Sequence, residues 1–95
     1  MTARIIFVTG AARGLGKAIV ERFLKEGYYV LAFDWNADNL NAAYAEWNSD
    51  DCVIAHVGDV RQRESVQQAV EASCARWGRI DVLANVAGVA LEEIS

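Results

Sequence analysis

Proline is absent from all 95 residues, and histidine occurs only once, as His56. The two cysteines, Cys52 and Cys74, lie 22 positions apart and form no CxxC pair. With a single histidine beside them they cannot complete a zinc set, and they read as ordinary reduced thiols of a cytoplasmic protein. Basic charge is also scarce: nine Lys and Arg face 13 Asp and Glu, for a net charge of −4, and no basic stripe gathers anywhere along the chain. Duplex nucleic acid and anionic membrane surfaces are thereby excluded as expected partners. No apolar run approaches the roughly 18 residues of a membrane span. The first apolar run, Ile5 to Val8, breaks at Gly10 and is too short for the core of a secretory signal. What remains is 54% apolar and 23% charged, the balance of a single small globular domain.

The hydrophobic period changes several times along the chain. Arg4 to Thr9 is a short β-branched run stopped by glycines, as in a strand buried on both faces. Leu15, Ala18, Ile19 and Phe23 then recur at helical spacing, with Gly27 placed to end the helix in a left-handed residue. Tyr28 to Phe33 predicts a second strand, closed by Asp34. Asn36 is a candidate N-cap for a second helix carrying Leu40, Ala43, Tyr44 and Trp47. A polar loop, Asn48 to Asp51, leads to a third strand over Cys52–Val57. Val66, Ala69, Val70, Ser73 and Trp77 form the stripe of a third helix that Gly78 closes, with Cys74 expected on its apolar side. Ile80 to Val86 is the fourth strand. The order β-α-β-α-β-α-β predicts an α/β fold, a Rossmann-type doubly wound parallel sheet of strand order 3-2-1-4. Two helices are then expected on one face and the third on the other.

Between the first strand and first helix lies Thr9-Gly10-Ala11-Ala12-Arg13-Gly14-Leu15-Gly16. A turn that holds a diphosphate needs glycine, because a Cβ keeps the phosphate away from the backbone amides and the helix N-terminus. Those free N–H groups and the helix dipole stabilise the phosphate charge. Asp34 ends the second strand 24 positions after Gly10, where a carboxylate can accept from the adenosine ribose hydroxyls and repel a 2′-phosphate. Arg13 opposes this, since its guanidinium could pair with such a phosphate. A fixed carboxylate outweighs a flexible arginine, which favours NAD over NADP.

At these residues the chain resembles the short-chain dehydrogenase/reductase family. Thr9, Gly10, Gly14 and Gly16 match its T-G-x-x-x-G-x-G turn, and Asp34 stands where NAD-preferring members carry an acid. Asp59-Val60 resembles the family's D-V step, whose carboxylate meets the adenine amine. Asn85-Val86-Ala87-Gly88 resembles its N-N-A-G motif, which supports the sheet and touches the cofactor ribose; Val86 replaces the second asparagine. The resemblance therefore assigns cofactor contact to Gly10, Ala12, Arg13, Gly14, Leu15, Gly16, Asp34, Asp59, Val60, Asn85, Ala87 and Gly88. It implies an oxidoreductase moving hydride between a nicotinamide and a small alcohol or carbonyl substrate, homo-oligomeric in its full-length form.

The family's serine and Y-x-x-x-K pair, whose tyrosine handles the substrate proton, have no counterpart here. Tyr28, Tyr29 and Tyr44 are followed four positions later by Ala32, Phe33 and Asn48, none of them lysine. These tyrosines read as packing residues, His56 as structural, and Arg61, Arg63, Glu64, Glu71 and Arg76 as a solvated helix surface. Residues 1–95 are thus expected to be the N-terminal dinucleotide-binding part of one such domain, cut after the fourth strand and without activity alone. The missing prolines agree, since the family's proline-bearing segments fall elsewhere. Two alternatives stand beside this: a non-catalytic NAD- or adenosine-binding module, and an associating fragment with an exposed sheet edge.

Overall fold

The computed structural model describes residues 3–47 and 51–87. Strands β1 (Ile5–Thr9), β2 (Tyr29–Asp34), β3 (Val53–Val57) and β4 (Val82–Asn85) alternate with helices α1 (Gly14–Lys25), α2 (Ala37–Ala43) and α3 (Arg63–Trp77). All pairings are parallel, in the order β3-β2-β1-β4. This is the expected order, and it makes β1 the strand from which the sheet winds both ways.

Side-chain alternation distributes the helices between the two faces. Ile6 and Val8 of β1, Val30 and Ala32 of β2 and Val53 of β3 join Val20 of α1 and Leu40 of α2 in one buried layer. Phe7, Leu31 and Phe33 point the other way, onto Ala69 of α3. Every residue of β1 is buried, and all of β2 except Tyr29, whereas β3 alternates and β4 is half-buried throughout. Central parallel strands need cover on both faces, so the near-continuous apolar reading of β1 and β2 follows from their position.

The helix ends were legible locally. Gly27 and Gly78 both adopt φ +88 at the ends of α1 and α3. Behind Gly27, the amide of Tyr28 donates to the Phe23 carbonyl at 3.0 Å, and the two rings meet edge to face at 4.8 Å. That combination of backbone bond and apolar contact is the Schellman stop.

Four expectations are corrected. The second helix does not run on to Trp47: α2 ends at Ala43, and Ala45–Trp47 is a separate 3-10 turn, with Tyr44 between them turned into the core. β4 occupies Val82–Asn85 rather than Ile80–Val86, because it pairs only with β1 and its ladder starts opposite Ile6. Cys74 is exposed, since the buried arc of α3 is confined to Ala69 and Ser73 and position 74 lies a further 100° around the helix. Arg61 precedes α3 and belongs to the turn after β3, not to a helix surface. The loop residues Asn48 to Asp50 and the motif residue Gly88 lie outside the described residues.

Candidate functional site

Parallel register brings all four strand ends to one edge of the sheet. Thr9 pairs with Phe33 and with Asn85, and Asp34 pairs with Val57. The segments that leave those ends therefore converge around a cleft of about 480 Å³. Gly10, Asp34, Trp35, Asp59, Arg61 and Ala87 are among its walls. A crevice at the carboxyl ends of the strands, where the winding reverses, is the general ligand position of open α/β sheets.

The glycine turn is built from three different requirements. A Cβ on Gly16 would lie 1.9 Å from the Gly10 carbonyl oxygen, so that glycine allows α1 to pack against its own turn. A Cβ on Gly10 would lie 2.9 Å from the Ala87 nitrogen, so this one allows the turn to pass the chain leaving β4. Gly14 meets nothing within 4 Å but sits at φ +60. Gly14 is thus called for by its left-handed backbone conformation, while Gly10 and Gly16 are demanded by the close approach of the protein's own backbone. Gly14 opens α1, whose N-terminus has no side-chain cap and no acidic residue in its first turn. Its leading N–H groups have no intrahelical acceptors, and the dipole there is positive.

Two strands hold the turn in place. The Ala11 amide donates to the Phe33 carbonyl at 3.1 Å, and the Ala12 amide donates to Asp34 Oδ2 at 3.1 Å. Asp34 Oδ1 accepts from the Asn36 amide at 3.0 Å. Only 9% of Asp34 is exposed, yet it reaches the cleft wall. A carboxylate offers about four lone-pair sites, so two backbone donors leave both oxygens able to accept from a diol. On the other side, the Thr9 hydroxyl donates to Asn85 Oδ1 at 2.7 Å and accepts from the Ala87 amide at 3.2 Å. Asn85 is therefore turned toward β1 and braces the two strand ends.

The remaining expected site residues divide. Val60 lines the cleft with Asp59. Ala12 and Arg13 line a second hollow with Lys17 and Asn39, between the turn and α2. Leu15 is 56% exposed at the start of α1. Asp59 is already engaged: Arg61 donates its backbone amide to Oδ1 at 2.9 Å and Nη2 to Oδ2 at 2.9 Å. These bonds hold the Asp59 carboxyl below its usual range, the side-chain bond first, and push Arg61 up by the same contact.

Sequence reasoning left three participants aside. Trp35 stands 73% exposed on the cleft wall. Arg61 could have been found from its spacing, because two positions after an aspartate at a strand end is within reach of that side chain. Tyr44 gave no such signal: helical spacing assigned it to the core, and there it is, 1% exposed. Its hydroxyl nevertheless donates to the Ala11 carbonyl at 2.6 Å. Burial raises its phenol well above the ordinary value, and the Glu21 and Asp34 carboxylates add to that, so Tyr44 remains a neutral donor. His56 stacks on Phe33 with ring centroids 6.0 Å apart, on the α3 face of the sheet. Among the described residues no cluster of His, Cys, Asp and Glu could hold a metal ion, and no helix is long and apolar enough to cross a membrane.

This geometry has close parallels. The chain is 43% identical over 84 residues to cis-2,3-dihydrobiphenyl-2,3-diol dehydrogenase of Paraburkholderia xenovorans, covering 88% of this chain and 30% of that one. It is 41% identical over 93 residues to D-threitol dehydrogenase of Mycolicibacterium smegmatis, covering 95% of this chain and 35% of the relative. Among solved structures, 3-ketoacyl-(acyl-carrier-protein) reductase from Brucella melitensis, complexed with NADH, superposes with a TM-score of 0.78 at 28% identity. That match covers 86% of this chain and 33% of the reductase. The chain thus spans about a third of the length of these relatives. The family model for short chain dehydrogenase matches residues 4–95, and with the glycine turn, the 3-2-1-4 sheet and the cleft at its strand ends in place, the chain belongs to the short-chain dehydrogenase/reductase family.

Proposed function

We propose that residues 1–95 are the NAD-binding part of a short-chain oxidoreductase whose full-length form moves hydride between the nicotinamide and an alcohol or carbonyl substrate. The observation that carries this reading is the pairing of an uncapped, acid-free α1 N-terminus with the Asp34 carboxylate on the adjoining cleft wall. The donor set fits a dinucleotide: free amides for the diphosphate, acceptor capacity for a ribose diol, and an open Trp35 face beside them for a base. When bound, the nicotinamide supplies the hydride acceptor. The chain's own residues bind and orient. Gly14 lets the phosphate reach the helix amides, Asp34 takes the ribose hydroxyls, and Thr9 with Asn85 ties the end of β1 to that of the edge strand β4.

Asp34 also supports NAD over NADP, because a 2′-phosphate would bring its charge against a nearly buried carboxylate. Arg13 and Lys17 lie on the far side of Ala12, in the second hollow. Equilibrium titration of the chain with ADP-ribose and with its 2′-phosphorylated analogue tests the reading, using Trp35 fluorescence or calorimetry. The expected result is saturable binding of ADP-ribose, with the phosphorylated probe weaker by about tenfold or more. Equal affinities would remove the NAD preference, and no binding of either would remove the dinucleotide reading.

A further inference from the structure

The Ala11 carbonyl and the Ala12 amide are the two ends of one peptide unit, in the middle of the glycine turn. Tyr44 donates to the carbonyl end at 2.6 Å, from the residue just after α2. Asp34 Oδ2 accepts from the amide end at 3.1 Å, from the last residue of β2. A planar peptide cannot turn one end without turning the other. We infer that Tyr44 is a positioning residue for cofactor choice: by gripping the carbonyl it fixes the plane whose N–H holds Asp34, and so aims the carboxylate that reads the ribose. This deepens, and rests on, the reading of Asp34 as the ribose partner.

Three features make the coupling specific. The Tyr44 bond is buried, so its loss deprives the Ala11 carbonyl of this donor inside the packed layer. The charged groups facing the phenol are the Glu21 and Asp34 carboxylates, and both favour the protonated form that donates. Asp34 keeps its second tether, the Asn36 amide, so releasing the peptide allows the carboxylate to swing about one fixed oxygen without expelling it. Loss of the hydroxyl therefore alters aim more than presence. A 2′-phosphate gains from a carboxylate that can turn aside, whereas a ribose diol loses a fixed acceptor.

The experiment compares Tyr44→Phe with the unchanged chain for binding of ADP-ribose and of 2′-phospho-ADP-ribose, with thermal unfolding measured alongside. Phenylalanine keeps the ring in its place and deletes only the donor. The expected result is a ratio of the two affinities that falls by about two- to tenfold, the range of a single hydrogen bond. Leu40→Ala, in the same buried layer without a polar contact, serves as the control. It should lower the melting temperature and leave the ratio unchanged. If Tyr44→Phe weakens both probes equally, or moves stability alone, Tyr44 is only a packing residue and the inference is overturned. Asp34→Ala separates the two levels: an unchanged ratio there removes the ribose reading itself, whereas a changed ratio with an inert Tyr44→Phe removes only the role of Tyr44. A measurement on the unmutated chain guards against a variant that does not fold. The Tyr44 hydroxyl proton should exchange slowly enough with water to be observed by NMR, and its absence would overturn the inference.

Discussion

The starts of α1 and α2 present the same backbone problem and solve it in opposite ways. Each leaves leading N–H groups without intrahelical acceptors. At α2 the chain supplies them itself: Asn36 Oδ1 accepts from the Asn39 amide at 2.9 Å, and Asp38 adds negative charge in the first turn. At α1 it supplies nothing, placing Arg13 at the cap position without a side-chain bond and glycine at Gly14 and Gly16. The α2 cap contributes about 1 kcal/mol, whereas α3, like α1, has no side-chain cap but carries Glu64 in its first turn. Under the proposed function, the acid-free start of α1 leaves that contribution to a bound phosphate. The short α2, only seven residues, relies on its cap, whereas the 12-residue α1 is held by its buried stripe and can go without.

This contrast can be broken most severely at Gly16. Gly16→Ala would force a Cβ against the Gly10 carbonyl, and it should cost about 3 kcal/mol or more of stability in urea unfolding, enough to abolish dinucleotide binding. Asp34→Ala acts next. It should reduce the preference for ADP-ribose over its 2′-phosphate by about ten- to a hundredfold, the worth of a hydrogen bond to a charged group, read by calorimetric titration. Gly14→Ala places a Cβ at φ +60 in open space, so unfolding should reveal a loss of only about 1–2 kcal/mol, and under the proposed phosphate contact ADP-ribose binding should weaken further.

Exchanging the caps sharpens the contrast directly. Arg13→Asp should make α1 resemble α2, adding about 1 kcal/mol to stability while weakening ADP-ribose about fivefold, because the phosphate must then displace an internal cap. Asn36→Ala should remove about 1 kcal/mol from stability and leave ADP-ribose affinity as it was. A gain in affinity on Arg13→Asp would mean that α1 is not an anion site.

The smallest effect lies at the opposite end of the sheet, where another backbone N–H is satisfied from within. Asp81 Oδ2 accepts from the Ile5 amide at 2.8 Å and from Arg79 Nε at 3.0 Å. The Ile5 bond, more than Arg79, holds its carboxyl below the ordinary 3.8. Its contribution is therefore present above pH 3.8 and lost as pH falls through the lower folded value. Urea midpoints of the unchanged chain and of Asp81→Asn should differ at neutral pH and draw together below that range. A constant gap would show that the carboxyl charge is not involved.

How much could be read in advance depended on distance along the chain. The N-cap Asn36 and the terminators Gly27 and Gly78 act within a few residues of themselves, and each was placed correctly. The Asp34 position was legible because a strand, a turn and a helix of ordinary length bring it back to the turn it follows. Cys74 failed for the opposite reason. A helical stripe shows which side of α3 is apolar, but how wide an arc is buried depends on how closely the sheet approaches it, and here only Ala69 and Ser73 are enclosed. The 3-10 break after α2 failed likewise, because Tyr44 is drawn inward by a carbonyl 33 positions earlier.

The linear order of residues by itself determined the alternation of strand and helix, the glycine turn and the acid that answers it. These are properties of period, spacing and local backbone preference. Only the tertiary structure decided what each glycine is for, that Arg61 engages Asp59, that Asn85 braces β1, and that Tyr44 and Asp34 grip the same peptide from opposite ends. The physical reason is range. Conformational preferences act between near neighbours, whereas hydrogen bonds and steric contacts join whatever the packed sheet brings within about 3 Å.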